Sequence, residues 1–450
     1  MNKIKSFILK QKKDIATYGI NELLKKIAIF LKIIFLIPVH IFAFIPFIVI
    51  RLLRPLIVVR IAKIPTSNYG NFAFDPSIYY CKKNLKIDQL KKKHLDLFYI
   101  HYEDKVYNKQ LAKMWKRKLN FLPGYLLGPI EKINKLFPGW EMHSVKDVSS
   151  FVPYNLELEI EKCKPLEFNQ EEENHGQDVL NKFGLKDGDK FVCFAIRDSA
   201  HNRLQKKTAR NNNWSYHDYR HWELDNFLLA AEELTKKGYY VFRMGTYAEK
   251  EFKTKNPKII DYANSNLKSD FMDVFLGAKC SFCLSTSFGF DEVPNLFRKP
   301  IIYLILPFGH FRSFSDRFLI LTKHHYLKKE NRRLTLSEIF SHGLAFVYET
   351  KIFQQKGIEL VDNSPEEIKD AVIEMHESLE ENKKLSNEDE NLQKNFKNLY
   401  TNNYLNTINN IEKIQSELTK KQHLNLKSVH GEIRSRFSTK FLKNNKDWLR

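Results

Sequence analysis

FVCFAIRD at residues 191–198 and GYYVFRMG at residues 238–245 are short apolar runs that each reach an arginine. The turn Asp187-Gly188-Asp189 introduces the first run. Between the two, Leu224, Phe227, Leu228, Ala231 and Leu234 recur at the spacing of one helix face, and Gly238 supplies the stop. The pattern repeats downstream. A helix over about 270–278 leads into a strand over 280–284, the small-residue loop Ser285-Thr286-Ser287-Phe288-Gly289, a short helix, and a strand over 300–306. Strands alternating with helices predict a mostly parallel, doubly wound α/β sheet. Ser364-Pro365-Glu366-Glu367 opens another helix, with Ser as N-cap and Pro at the first helical position.

Upstream the alternation is looser. A strand over 56–63, a second over 97–101 and a helix over 108–119 suggest a first α/β domain. Residues 163–176 are polar and acid-rich and read as a linker or the entry to a second domain. The expected organisation is an anchor segment over 1–54, an N-terminal α/β domain over 55–170, a C-terminal Rossmann-like domain over 177–380, and a helical, basic tail over 381–450.

The 450 residues carry a formal net charge of +20, unevenly placed. Residues 1–63 hold twelve Lys/Arg against two acids, and residues 421–450 hold eight against two. The body between them is close to neutral, which argues against a basic groove for nucleic acid. Five scattered cysteines form neither a disulfide framework nor a completed zinc site. From Ile27 to Ile50 the chain reads IAIFLKIIFLIPVHIFAFIPFIVI, long enough to span a bilayer. Its flanks are both basic, and positive flanks prefer the cytoplasmic side. A monotopic anchor is therefore favoured over a single span: either a hairpin broken near Pro38 and Pro46 or a helix lying in the interface. The expected setting is an anionic membrane surface at the cytoplasmic face of the cell membrane.

Ligands of open α/β sheets bind beyond the carboxyl ends of the strands. Three features fall there: Arg197-Asp198, Arg243 with Gly245, and the loop Ser285-Thr286-Ser287-Phe288-Gly289 before a helix. Arginines and backbone N–H groups at a helix N-terminus suit a diphosphate. The loop NNNWSYHDYRH, residues 211–221, adds Asn213, His217, Asp218 and Arg220, groups able to recognise a ligand or move a proton. Asp187-Gly188-Asp189 has the spacing that can hold a divalent ion, but it precedes its strand and reads as a turn. No metal or other cofactor is therefore expected; Asp291 and Glu292 are the alternative site for Mg²⁺.

Tyr216-His217-Asp218-Tyr219-Arg220 and Gly238-Tyr239-Tyr240-Val241-Phe242-Arg243-Met244-Gly245, with Phe194–Asp198, Ser285-Thr286-Ser287-x-Gly289 and Asn295–Pro300, resemble a family of bacterial GT-B-like glycosyltransferases of surface-polysaccharide clusters. The resemblance covers roughly residues 55–380. It implies two Rossmann-like domains, a nucleotide-sugar donor on the C-terminal one, and a lipid-linked or polysaccharide acceptor on the N-terminal one. Arg197, Arg243 and the 285–289 loop would stabilise the leaving diphosphate, and Asp198 or His217 would be the base. Where the family has Arg-Ile-Gly-His, this chain has Asn68-Tyr69-Gly70-Asn71. Transfer of another phosphate-activated group, or a non-catalytic membrane scaffold, are the alternatives.

Overall fold

A computed structural model describes residues 20–87, 90–145, 161–197, 218–245, 248, 250–311, 315–381, 383–410 and 433–450. In chain order the first half holds α1 (Ile20–Leu52), β1 (Val58–Lys63), α2 (Tyr69–Asn84), β2 (His94–Tyr99), α3 (Lys109–Lys118), α4 (Gly124–Asn134) and α5 (Gln170–Lys182). There follow β3 (Phe191–Ala195), α6 (Leu228–Lys236), β4 (Tyr240–Met244), β5 (Ile259–Ile260), α7 (Asp270–Lys279), β6 (Cys283–Ser285), α8 (Glu292–Leu296) and β7 (Ile301–Leu304). The last part contains β8 (Phe318–Leu321), β9 (His324–Leu327), β10 (Arg332–Arg333), α9 (Leu336–Ser341), α10 (Thr350–Gln355), β11 (Ile358–Val361), α11 (Pro365–Glu380), α12 (Asn387–Asn409), β12 (Arg436–Phe437) and α13 (Thr439–Asn444).

Contacts divide the described residues into two discontinuous units. The smaller falls within 1–64, 90–104 and 119–147, and the larger within 65–89, 105–118 and 148–450. The larger unit is built on a seven-stranded sheet of order β12-β8-β7-β6-β3-β4-β5, and every pairing in it is parallel. Its central strands are buried on both faces, as Phe191–Ala195 shows residue by residue. That is why these runs read as continuously apolar rather than alternating. From β3 the chain moves outward to β4 and β5, then returns to place β6 on the other side of β3. The point where the order reverses therefore lies between β3 and β6. A separate antiparallel sheet has the order β10-β9-β11.

Local signals set the element ends. Gly238, at φ +91°, follows α6 in the left-handed conformation that ends a helix. Ser364 and Glu367 close a reciprocal capping box on α11, with Pro365 in its first turn. Asp187-Gly188-Asp189 is a turn: Lys186 N–H donates to the Asp189 carboxylate at 2.8 Å, and Gly188 has φ +86°.

Four expectations need correction. Among the described residues of 55–170, where a second Rossmann-like domain is expected, the strands are β1 and β2, a two-stranded parallel sheet in the smaller unit. Helices α2 and α3 belong instead to the larger unit. Asn108 caps α3, donates to the Asp270 carbonyl at 2.8 Å, and so ties it to α7. Second, 163–176, read as a linker or a domain entry, is not linker throughout: α5 begins at Gln170 within the larger unit, opened by a capping box between Asn169 and Glu172. Third, the tail is not merely helical. Strand β12 extends the sheet, and Gln393 pairs with both backbone groups of Phe437, at 2.6 and 3.0 Å. Phe437 itself is fully buried, ringed by Phe308, Phe396 and Trp448. Fourth, α1 runs unbroken through Pro38 and Pro46, so no hairpin forms there. Each proline removes a single donor from a helix of 33 residues, which the remaining bonds carry through. Among the described residues no helix is long and apolar enough to cross a membrane.

Candidate functional site

The carboxyl ends of β3 and β6 are stitched together just beyond the sheet. Thr286 N–H donates to the Ala195 carbonyl at 3.0 Å, and Arg197 N–H donates to Thr286 Oγ1 at 2.9 Å. Ser285 Oγ donates to the Asp291 carboxylate at 2.9 Å and accepts from Ser287 N–H at 3.0 Å. Ser287 Oγ donates to the Leu304 carbonyl at 3.2 Å. The loop hydroxyls are thus spent on shaping the loop. Ser287 sits at φ +57°, and its carbonyl accepts from the Arg220 guanidinium.

The first turn of α2 closes this loop from the other side. Gly70 and Gly289 meet backbone to backbone: a Cβ on Gly289 would lie 2.9 Å from Gly70 N, and one on Gly70 would lie 3.0 Å from Gly289 Cα. No side chain larger than hydrogen fits either position without moving backbone. Between these elements lies a cavity of about 350 Å³. Its polar lining includes Asn71, Asp75, Arg220, Ser287 and Glu292, and its apolar lining Phe74, Phe288 and Pro307, with Tyr219 and Tyr348 beside them. Every lining residue belongs to the larger unit.

Asp75 is the unusual group. It is 2 % exposed, it accepts from Asn71 Nδ2 at 3.4 Å, and its Oδ1 has no hydrogen-bond partner among the described residues. Burial, reinforced by the negative charge of Glu292 and opposed by Asn71, pushes its pKa up to about 7. A carboxyl that titrates near neutrality inside a cavity can take or give a proton at working pH. The sequence offered one signal for it: Asp75 is the first acid after Glu22, set within the apolar run FAFDPSI.

The expected site residues divide. Ser287, Gly289 and Arg220 line the cavity. Ser285 and Thr286 lie beneath it, buried and hydrogen-bonded to the scaffold. Arg197 joins through its backbone and is not among the lining residues. Arg243 does not reach the cavity. Its side chain is buried against the Asp261 carboxylate at 3.2 Å and donates to the Lys250 carbonyl, which ties β4 to the loop over 250–261. Gly245 also lies outside the lining. Asp218 is exposed, with the His221 ring 3.7 Å away. Asp198, Asn213 and His217 fall outside the described residues.

The helix expected to present its N-terminus after the 285–289 loop is only five residues long and begins with Glu292, preceded by Asp291. Two carboxylates there oppose an anion. Helix α2 is the better donor. It has 16 residues, no acid in its first turn and no side-chain cap at Asn68, and Gly70 and Asn71 border the cavity. Among the described residues no group of three His, Cys, Asp or Glu is placed to hold a metal ion.

Sheet order, loop and cavity define a doubly wound α/β protein with its pocket beyond the carboxyl ends of β6 and β7. No protein-family model matches the chain, and no curated protein matches it. Among solved structures it is similar to a glycosyl transferase family 9 protein from Veillonella parvula, at 11% identity over 71% of this chain and 97% of that one, TM-score 0.41. It is also similar to the E. coli ADP-heptose LPS heptosyltransferase II, at 13% identity over 58% and 90%, TM-score 0.35. A third likeness is to E. coli heptosyltransferase WaaC with ADP-2-deoxy-2-fluoro heptose, at 10% identity over 58% and 93%, TM-score 0.30.

Proposed function

We propose that this protein is a glycosyltransferase that moves a sugar from a nucleotide-sugar donor to a lipid-linked or surface-polysaccharide acceptor at the cytoplasmic face of the cell membrane. The observation that carries this reading is the cavity beyond the carboxyl ends of β6 and β7, where the desolvated carboxyl of Asp75 stands within one lining with Arg220. The sequence resemblance to bacterial glycosyltransferases points the same way.

In this reading Asp75, in its ionised form, takes the proton of the acceptor hydroxyl as that oxygen attacks the anomeric carbon. The bond from that carbon to the diphosphate oxygen breaks, and the nucleoside diphosphate leaves with the electron pair. Arg220 and the first-turn N–H groups of α2 face the charge that develops. Asn71 orients the Asp75 carboxyl through its side-chain amide. The reaction as drawn needs no metal, and membrane contact falls to the apolar helix α1 with its basic flanks.

A thermal-shift screen of UDP, GDP, CDP and their sugars, followed by turnover with the radiolabelled donor that binds, tests the reading. Binding with sugar transfer supports it. Binding with transfer of a different phosphate-activated group replaces it by another transferase, and absence of all nucleotide binding leaves only a scaffold.

A further inference from the structure

The smaller unit carries an apolar surface that no part of the described structure covers. Helix α1 packs one side onto α4, where Ala43 and Phe47 meet Leu127, Ile130 and Ile133. Arg51 locks the pair: its guanidinium donates to Asn134 Oδ1 at 2.8 Å and lies 5.1 Å over the Phe47 ring. The opposite side of α1 is bare. Ile41, Phe42, Ile45 and Leu52 are each more than 60 % exposed. The sequence already marks this helix as apolar, but α4 adds a second exposed set: Tyr125 and Leu126 in its first turn, then Leu136 and Phe137 beyond its end. Phe44 and Phe137, both exposed, touch at 6.1 Å and join the two sets into one surface. Apolar surface of this extent marks an interaction site.

We propose that the paired faces of α1 and α4 form one monotopic footing that lies on an anionic lipid surface, with Tyr125, Leu126 and Leu136 entering the headgroup–acyl boundary beside α1. The footing rests on the membrane reading above and extends it to α4, which the sequence did not implicate. Charge selects the occupant. From residue 23 to residue 74 there is no acidic residue, seven lysines lie in residues 1–26, and Lys132 stands exposed on α4, while Lys135 just beyond it pairs with Glu131 at 2.6 Å. A second copy would set positive charge against positive charge, whereas anionic headgroups complement it. The prolines of α1 and the absence of a spanning helix among the described residues suit a helix lying in the interface.

Cosedimentation of the full chain with vesicles tests this. The native protein should bind phosphatidylglycerol–phosphatidylcholine vesicles, and weakly or not at all phosphatidylcholine alone. Leu126→Ser with Leu136→Ser removes exposed side chains and should keep the native unfolding temperature, yet bind mixed vesicles at least about tenfold more weakly. Lys132→Glu should lower binding severalfold on the anionic mixture only. Unchanged vesicle binding by the double variant overturns the role of α4. So does a native dimer that the double variant converts to monomer without loss of vesicle binding. Nucleotide binding is read in the same preparations. A chain that behaves as expected on vesicles but takes no nucleotide supports the footing and removes the transferase reading.

Discussion

Two arginines near strand ends of the same sheet have opposite fates. Arg243, in β4, lies against Asp261, donates to the Lys250 carbonyl and is wholly buried. Arg220, in the segment after β3, reaches the Ser287 carbonyl and borders a cavity. Both lie toward the carboxyl edge, where ligands of such sheets bind, so position alone does not separate them. What separates them is the local countercharge. Asp261 sits 18 residues from Arg243 and also takes the Phe252 N–H, at 3.2 Å, which makes the pair a fastening for a loop. A part-buried ion pair of this kind answers to the fold, and an arginine on a neutral carbonyl at a cavity wall has donors to offer a ligand.

The largest effect should come from the group that Arg220 shares the cavity with. Asp75→Asn keeps shape and removes the base, so turnover should fall about 10²- to 10⁴-fold with nucleotide binding little changed. In the native protein the rate of the proposed transfer should rise with pH through about 7, where Asp75 ionises. Stability should move the other way. Unfolded, the group ionises near its ordinary value of 3.8; folded, near 7. Between these the fold keeps a proton that the unfolded chain has lost, so Asp75 destabilises increasingly as pH rises to 7 and constantly above it. Asp75→Asn should therefore raise the unfolding free energy at pH 8 by an amount of order 2–4 kcal/mol, seen as a higher melting temperature. A variant that loses activity and stability together would make Asp75 a packing residue.

The two arginines come next, and here the contrast can be broken outright. Arg243→Ala removes a buried guanidinium from its bonds to the half-buried Asp261 carboxylate and the Lys250 carbonyl, and should cost about 1–3 kcal/mol of stability, seen in denaturant unfolding. Its ligand affinities, measured on the folded fraction, should stay level across nucleoside and nucleoside diphosphate. Arg220→Ala should leave unfolding nearly unchanged and weaken the diphosphate by about 1.5–3 kcal/mol, with a smaller loss for the bare nucleoside. Calorimetry that found the diphosphate-specific loss in Arg243→Ala would return that residue to the site.

Much of the sheet was legible because parallel strands advertise themselves. Runs such as Phe191–Ile196 are apolar throughout, and Gly238 and Ser364 punctuate the helices by local chemistry alone. The Asn169–Glu172 box was equally local, but the acid-rich composition of 163–176 hid it. Long-range pairing was not legible. Nothing in the sequence of 65–89 and 105–118 says that α2 and α3 join the larger unit, because that follows from the Gly70–Gly289 approach and from Asn108 bonding to Asp270. Phe437 and Trp448 looked like tail residues until β12 reached the sheet edge. Arg243 and Asp75 show the same limit within the site. A side chain's function depends on which partner burial supplies, and that partner lies 18 residues away in one case and 217 in the other, at Glu292.

The smallest expected effect concerns metal. Asp291 and Glu292 stand beside the loop where Mg²⁺ would bridge a diphosphate, yet both are engaged: Asp291 takes the Ser285 hydroxyl at 2.9 Å, and Glu292 takes the Asn295 amide at 3.0 Å. Releasing either would unsettle the loop that Arg220 grips. Arg220 and the α2 amides already face the diphosphate position in the proposed mechanism, so a cation would duplicate their charge. Transfer should accordingly persist in excess EDTA, and Asp187→Asn with Asp189→Asn should alter only the turn before β3, shifting the unfolding midpoint slightly and the rate not at all. Activity abolished by EDTA and restored by Mg²⁺ or Mn²⁺ would instead place the ion at Asp291 and Glu292. Glu292→Gln would then separate the two schemes. Under metal-free transfer it lowers the Asp75 pKa by removing a neighbouring negative charge and moves the pH–rate profile to lower pH. Under metal-dependent transfer it lowers affinity for the ion and leaves the profile at saturating metal where it was.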